Sequence, residues 1–448
     1  MLEIINNYNK NSTAGTFSSL NHEQKESIGL LQIGTFLEYF DLMLYVHMAI
    51  LLNQLFFPAT DPKTSSLLLS FAFCSTYIMR PVGALMFGYI GDHIGRKTTV
   101  IITMMMMATS CIIMASLPTY AQIGIAAAWL ITFCRIAQGL SSMGEIIGAE
   151  IYLTEITKQP IMYPVVGLIG CTSRFGTMIA LGVATLVTSY GFNWRYAFGV
   201  GAFIAIIGSV SRTRLRETPD FVDMKRRLKN NLADAKRSGS LKTEMILQQT
   251  KELSQEKVTW QTSFALFLIY SGPPACLYFS YIYFGTLLKN LGFTGEEVIH
   301  QNFFVSMAEF LGILLTVFLS YKIHPLKIIK IKTFLFLPFL LFVPFMMNYM
   351  HTPSFIFLIQ LMSVCLTLTP VPAVAALVVR FPVFRRFTYI SFTYALSRAL
   401  MAVITSFGLV YLTDFFGYWG LYFIMIPITL GFLWGVSHFE KLEHISKN

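Results

Sequence analysis

The sequence predicts an all-α membrane protein in which twelve transmembrane helices form two six-helix halves. Hydrophobic residues make up 55% of its 448 residues and charged residues 12%, and its mean hydropathy is +0.61. A lipid bilayer is therefore the expected environment. Apolar stretches of about 20 residues, the length of a spanning helix, recur along the whole chain. One long polar stretch separates the first six from the last six.

The predicted spans are the apolar windows that lie between polar interruptions. The first window follows a polar segment of 27 residues and is too long for the core of a signal peptide, so we expect it to remain as the first helix. In chain order the predicted spans are 28–56, 65–90, 98–117, 121–143, 162–190, 194–210, 260–288, 298–320, 326–347, 352–378, 387–412 and 418–437.

The polar segments define the expected domain organisation. The stretch 211–259 is rich in Lys, Glu and Gln, so we expect one or two solvated helices in a cytoplasmic central loop. The N-terminal six-helix half covers 28–210 and the C-terminal half covers 260–437. Cytoplasmic tails, residues 1–27 and 438–448, complete the predicted chain.

The distribution of positive charge predicts the orientation. The chain carries 33 Lys and Arg residues and a net charge of +10. With both termini inside, most basic residues lie in cytoplasmic segments, and three, Lys63, Arg195 and Lys289, lie outside. The basic excess is thus explained by topology, and the sequence does not require a nucleic-acid partner. The expected surroundings are the lipid bilayer.

The loop between the second and third spans reads GYIGDHIGRK over residues 88–97. Its glycines permit a sharp reversal, and an aspartate and a basic pair place opposite charges close together. The loop resembles the signature loop of the major facilitator superfamily. That resemblance implies a cytoplasmic latch, in which Asp92 meets a helix N-terminus of the other half. The residues of the pattern are Gly88, Gly91, Asp92, Gly95, Arg96 and Lys97.

Four further stretches resemble the metabolite:proton symporter family of this superfamily, which carries proline and betaine, shikimate or dicarboxylates. They read GTFLEYFD at 34–41, RPVG at 80–83, RIAQGLSSMGE at 135–145 and RETPDF at 216–221. The resemblance implies a monomeric transporter in a bacterial inner membrane. It further implies symport of protons with a small zwitterionic or carboxylate solute by alternating access, without a cofactor or metal.

Charged side chains inside the spans point to the coupling site, because such charges are costly in a membrane. Polar side chains in the first and fourth spans recur at intervals of three or four residues, so in each span they lie on one face of the helix. Each face could line a common polar cavity. Burial favours the neutral form of an acid and a nearby arginine the charged form, so such a pair can load and release a proton. The candidates for the proton carrier are Glu38, Asp41 and Glu145. The alternative is that these acids only pair with Arg80 or Arg135 to hold helices together.

Arg174, in the fifth span, has no acidic residue three or four positions away. We therefore predict that it binds a carboxylate of the solute. Tyr45, Arg135 and Gln138 complete the predicted substrate-binding set. Tyrosine rings could also enclose a quaternary ammonium group, although packing explains abundant aromatic residues equally well.

The second half departs from the family pattern. Its counterpart of the signature loop, SYKIHP at 320–325, has neither glycine nor aspartate, and Arg398 stands where glycines are usual. We expect Glu309 to pair with Arg398. The departures leave two alternatives open, a transporter-like solute sensor and an uncoupled facilitator. An ATP-driven pump or a membrane enzyme is disfavoured because the chain has no GxxxxGK[ST], HExxH or GxSxG motif.

Overall fold

The predicted all-α architecture is confirmed. Within the described part of the chain, helices joined by short connections account for nearly every residue, and no β-strand occurs. The computed structural model describes residues 20–48, 52, 55–57, 62–237, 258–349 and 352–445.

Six long helices form the N-terminal half of the described chain: α1 His22–His47, α2 Pro62–His93, α3 Arg96–Ser116, α4 Ile125–Ile156, α5 Met162–Tyr190 and α6 Trp194–Arg212. Short or connecting helices lie at Tyr120–Ile123 and Pro219–Arg237. The latter occupies part of the predicted central loop, and residues 238–257 of that loop lie outside the described residues.

The C-terminal half contains a second set of six: α7 Trp260–Leu277, α8 Gly295–Leu319, α9 Pro325–Tyr349, α10 Pro353–Leu366, α11 Val383–Phe416 and α12 Leu421–Ile445. After α7 the chain continues through a π-helical turn, Tyr278–Tyr283, into a helix at Phe284–Asn290. Among the helices that the structure describes, eight are long and apolar enough to cross a membrane by length and composition alone, and shorter apolar helices accompany them.

The tenth predicted span, 352–378, is not one continuous helix. Its helix ends at Leu366, and a non-helical segment leads to a short helix at Val374–Val378. Pro370 and Pro372 lie in this segment, where each removes a backbone donor that a continuous helix would need. Such irregular backbone is tolerated at membrane depth where it is covered by protein or lines a cavity.

The fourth helix is longer than predicted. It runs to Ile156, whereas the predicted span ends near residue 143. The hydropathy window ends early because Glu145, Glu150 and Glu155 interrupt the apolar sequence, yet all three side chains are buried in the bundle. Charged residues that are covered by neighbouring helices therefore belong to the span itself.

The two halves meet along two helix pairs, α2 with α11 and α5 with α8. Within the N-terminal half, α1 packs on α5, and α3 packs on α4 and α6. In the C-terminal half, α7 packs on α11 and α12. Close approach of α2 to α11 depends on Gly88, since a Cβ atom there would lie 2.8 Å from the Cα of Thr388.

Candidate functional site

The loop between α2 and α3 contacts the opposite half directly, at what we call the latch end of the bundle. The Asp92 carboxylate accepts hydrogen bonds from the backbone N–H of Phe387 at 3.0 Å and from the backbone N–H of Thr388 at 2.9 Å. The Thr388 hydroxyl donates a third at 2.7 Å. These groups belong to the second turn of α11, near the positive end of the helix dipole, which favours an anion. Asp92 thus joins the two halves.

Arg96 extends the contact. Its guanidinium donates to Asp92 at 3.3 Å, to Glu155 at 3.3 Å and to the carbonyl of Val383, at the start of α11, at 2.6 Å. Glu155 in turn pairs with Arg386 of α11 at 2.9 Å. Because Arg96 and Glu155 are almost fully buried, this network has few competing contacts with water.

The RETPDF stretch that follows α6 folds back onto the same loop. The Glu217 carboxylate accepts hydrogen bonds from the backbone N–H groups of Arg96 at 3.0 Å and Lys97 at 3.3 Å, so it caps the N-terminus of α3. The Thr218 hydroxyl donates to Glu155 at 2.6 Å. Two sequence stretches separated by more than a hundred residues therefore build one latch network.

Glycines make room at the latch end. A Cβ atom on Gly91 would lie 2.5 Å from the ring of Phe387. Gly95 has φ 155°, a backbone conformation that L side chains rarely adopt, and a Cβ atom there would collide with the Glu217 carboxylate. The signature residues are thus required by close packing as well as by charge.

The two polar helix faces predicted on α1 and α4 face each other inside the N-terminal half. Asp41 pairs with Arg135 at 3.3 Å, and Arg135 donates to Gln138 at 2.8 Å. The Arg135 guanidinium lies 4.0 Å from the centroid of the Tyr45 ring. Asp41 and Arg135 are thus occupied with each other, and the residues of these two faces do not line the two cavities between the halves that are described below.

Glu38 and Glu145 are the other two predicted acids, and both are buried. Glu38 lies 3.6 Å from Arg80 of α2, but neither of its carboxylate oxygens accepts a hydrogen bond from any described residue. Glu145 accepts a hydrogen bond from the Thr103 hydroxyl at 3.0 Å. Of the three candidates, Glu38 is the one whose two carboxylate oxygens both lack a hydrogen bond among the described residues.

A small cavity of about 40 Å³ lies between the halves and is the central cavity of the following account. Its polar lining comes from both halves: Tyr39, Glu150, Ser173, Arg174, Tyr270, Thr369, Tyr394 and Arg398. A second cavity of about 30 Å³ is also lined by Arg174, together with Glu309. Each has room for about one or two water molecules, so binding a larger solute requires the halves to separate at this level.

Arg174 has a partner that its local sequence does not show. Its Nε lies 3.1 Å from Glu309 of α8, and the Tyr281 hydroxyl donates to the same carboxylate at 2.7 Å. The predicted pairing of Glu309 with Arg398 is therefore wrong. Arg398 instead donates to the Tyr39 hydroxyl at 3.4 Å and lies 4.3 Å from the centroid of the Tyr394 ring.

The Arg174–Glu309 pair makes a testable contribution to stability. We expect Arg174→Gln or Glu309→Gln to lower the free energy of unfolding by about 3–5 kcal/mol, because each leaves a buried charge unpaired. The exchange Arg174→Glu with Glu309→Arg is expected to recover part of this loss. Thermal unfolding of the purified protein in detergent measures both effects. The exchange of Glu309 with Arg398 is the matched control, and recovery there instead would contradict the observed pairing.

Sequence reasoning missed Glu150, Tyr270 and the cavity role of Arg398. A charge within a transmembrane helix is a signal that could have identified Glu150. It was overlooked because the predicted fourth span ended before it. Tyr270 carries no comparable signal, since the chain has 21 tyrosines.

A family model described as Major Facilitator Superfamily matches residues 31–406. The proline/betaine transporter of Salmonella typhimurium is 32% identical over 208 residues, which are 44% of this chain and 41% of that protein. The inner membrane metabolite transport protein YhjE of Escherichia coli is 33% identical over 215 residues, which are 46% of this chain and 48% of that protein. The match thus spans less than half the length of these relatives.

Two solved structures share the fold over nearly the whole chain. The proton:xylose symporter XylE, bound to 6-bromo-6-deoxy-D-glucose, has a TM-score of 0.71 at 17% identity and covers 92% of this chain and 95% of its own. The transporter FucP in the outward conformation has a TM-score of 0.64 at 14% identity, covering 92% and 98%. Together with the two helix pairs that join the halves, these findings establish the fold and the class. The chain belongs to the major facilitator superfamily.

Proposed function

We propose that this protein is a membrane transporter, a proton-coupled symporter of a small zwitterionic or carboxylate solute in a bacterial inner membrane. It works by alternating access as a monomer, with both termini in the cytoplasm. The observation that supports this proposal most directly is the small cavity between the halves, because its lining combines Arg174, Arg398 and Glu150 from both sides of the interface. Such a cavity opens to one side or the other as the halves rock about it.

The latch end is the cytoplasmic end in this proposal. The excess of Lys and Arg in the connections at that end supports the assignment. Asp92 on the N-terminus of α11 holds the cytoplasmic side closed, so release of the solute inward requires these hydrogen bonds to break. Closure and opening of the latch then alternate with access to the cavity from outside.

Glu38 is the leading proton carrier, with Asp41 and Glu145 as the further candidates. Burying a charged carboxylate without hydrogen bonds is costly, and protonation removes that cost. Arg398, which lines the central cavity, also interacts electrostatically with Glu38. A solute carboxylate on Arg398 would weaken the attraction between Arg398 and Glu38, which favours proton uptake together with the solute.

The names of the relatives support the class of solute. A transporter of Dickeya dadantii named for glycine betaine, proline, ectoine and pipecolic acid is 30% identical over 226 residues. The structural neighbour XylE is named as a proton symporter. The predicted binding residues Tyr45, Arg135, Gln138 and Arg174 remain proposals. Arg174 lines the central cavity, whereas the other three form the buried cluster with Asp41.

Uptake of labelled proline, glycine betaine and 2-oxoglutarate into proteoliposomes, with and without an inward proton gradient, tests the proposal. We expect one of the three to accumulate above its external concentration and to leave when an uncoupler is added. Binding without accumulation would support the solute-sensor alternative. Uptake that only equilibrates would support the uncoupled facilitator.

A further inference from the structure

Three side chains that line the central cavity each carry a buried polar atom without a hydrogen-bond partner among the described residues. They are Oε2 of Glu150, the hydroxyl of Tyr270 and Nε of Arg398. Glu150 is 7% exposed and Tyr270 is 2% exposed. A buried polar atom that is left unpaired lowers the stability of the fold. Three such atoms around one cavity indicate a site whose ligand supplies the missing interactions.

The two charged members have opposite signs and come from different halves, Glu150 from α4 and Arg398 from α11. Arg398 acts electrostatically on Glu150, but no ion pair holds the Glu150 carboxylate within the part of the chain that the structure describes. A simple anion on Arg398 would be repelled by Glu150, and a simple cation on Glu150 would be repelled by Arg398. A ligand that carries both charges avoids both penalties.

Tyrosine rings complete the lining. The rings of Tyr270 and Tyr394 meet edge to face with centroids 5.1 Å apart, and the hydroxyls of Tyr39 and Tyr394 are 3.3 Å apart. Aromatic faces attract a cationic nitrogen whether or not it carries hydrogen-bond donors of its own. Rings beside a carboxylate therefore suit a quaternary or secondary ammonium group, while the guanidinium suits a carboxylate.

We propose that Glu150 and Arg398 together make the central cavity select zwitterions over simple carboxylates and simple cations. The solute carboxylate binds Arg398, and its cationic nitrogen binds Glu150 and the tyrosine rings. This inference rests on the proposed function and narrows its solute to the zwitterionic class. Because Glu150 and Arg398 belong to opposite halves, a zwitterion contacts both halves at once and favours their approach.

Equilibrium binding of three ligands of nearly identical shape tests the proposal on the purified full-length protein. Glycine betaine carries both charges, choline lacks the carboxylate, and 3,3-dimethylbutanoate replaces the cationic nitrogen by carbon. We expect the wild type to bind glycine betaine at least about tenfold more tightly than either of the others. Isothermal titration calorimetry without a proton gradient gives the affinities.

Variants of Glu150 and Arg398 test which charge of the solute each residue binds. Glu150→Gln is expected to reduce the preference for glycine betaine over 3,3-dimethylbutanoate by about tenfold or more, while binding of 3,3-dimethylbutanoate persists. Arg398→Gln is expected to reduce the preference for glycine betaine over choline to a similar extent. Glu296→Gln, which changes an exposed carboxylate on α8, is the control and should leave both ratios unchanged. Unchanged ratios in the two cavity variants would overturn the proposal.

A variant that binds nothing is also informative. If Glu150→Gln binds none of the three ligands, Glu150→Asp, which keeps the charge, is expected to retain the preference for glycine betaine. Loss of 3,3-dimethylbutanoate binding in both variants would contradict the assignment, since that ligand does not use Glu150.

Failure of the inference can be separated from failure of the proposed function. Selective binding without gradient-driven accumulation would leave the zwitterion site intact and refute proton symport. Gradient-driven accumulation with ratios that do not respond to Glu150 or Arg398 would support symport and refute the site.

Discussion

Glu38→Gln is expected to abolish gradient-driven accumulation of solute in proteoliposomes. The amide cannot take up or release a proton, so the solute flux loses its link to the proton gradient. We expect accumulation to fall by about tenfold or more, because a driving force of about 1.4 kcal/mol already corresponds to a tenfold concentration ratio. Exchange of labelled for unlabelled solute across the membrane, which needs no net proton movement, should continue.

The exchange assay separates loss of coupling from loss of the protein. Glu296→Gln is the matched control, because it removes an exposed carboxylate at the start of α8 that does not line the central cavity. Accumulation near the wild-type level in Glu38→Gln would transfer the role to Asp41 or Glu145. Undiminished coupling in the glutamine or asparagine variants of all three acids would eliminate this set of proton carriers.

Asp92→Asn is expected to open the latch end. The carboxylate accepts three hydrogen bonds from Phe387 and Thr388, and hydrogen bonds to a charged group contribute about 1.5–3 kcal/mol each. The asparagine side chain keeps one acceptor oxygen, but its NH2 group is itself a donor and cannot accept the hydrogen bonds that Phe387 and Thr388 donate. We expect a shift of about 2–4 kcal/mol, or at least about thirtyfold, towards conformations with the latch open.

Spin labels on either side of the latch measure this shift. Ile94 of the N-terminal half and Lys322 of the C-terminal half are exposed at the latch end, and they can carry labels once the six native cysteines have been replaced. In Asp92→Asn the longer-distance population should grow at the expense of the shorter one. Glu26→Gln is the control, because Glu26 is an exposed carboxylate of α1 outside the latch network. Identical distance distributions for Asp92→Asn and the wild type would refute a latch role for Asp92.

The twelve-helix architecture could be predicted from the sequence because membrane insertion depends on local apolar length. The windows at 162–190 and 194–210 lie close to the observed α5 and α6. The loop at Asp92 could also be predicted, since its glycines and charges lie within ten consecutive residues. Two predicted spans were wrong in length because hydropathy along the sequence does not show packing or backbone breaks. The buried acids of α4 made its predicted span too short, and prolines interrupt the helix of the tenth predicted span.

The sequence by itself therefore determined the membrane environment, the twelve long helices seen in the described part of the chain, and the loop that carries Asp92. Only the tertiary structure decided which intramembrane charges pair with one another. Arg174 and Glu309 lie on different helices of different halves, and the unpaired atoms of Glu150, Tyr270 and Arg398 share one cavity only after the halves have packed. Spacing along one helix identifies the face on which a charge lies, whereas the partner of that charge depends on how helices from both halves pack together.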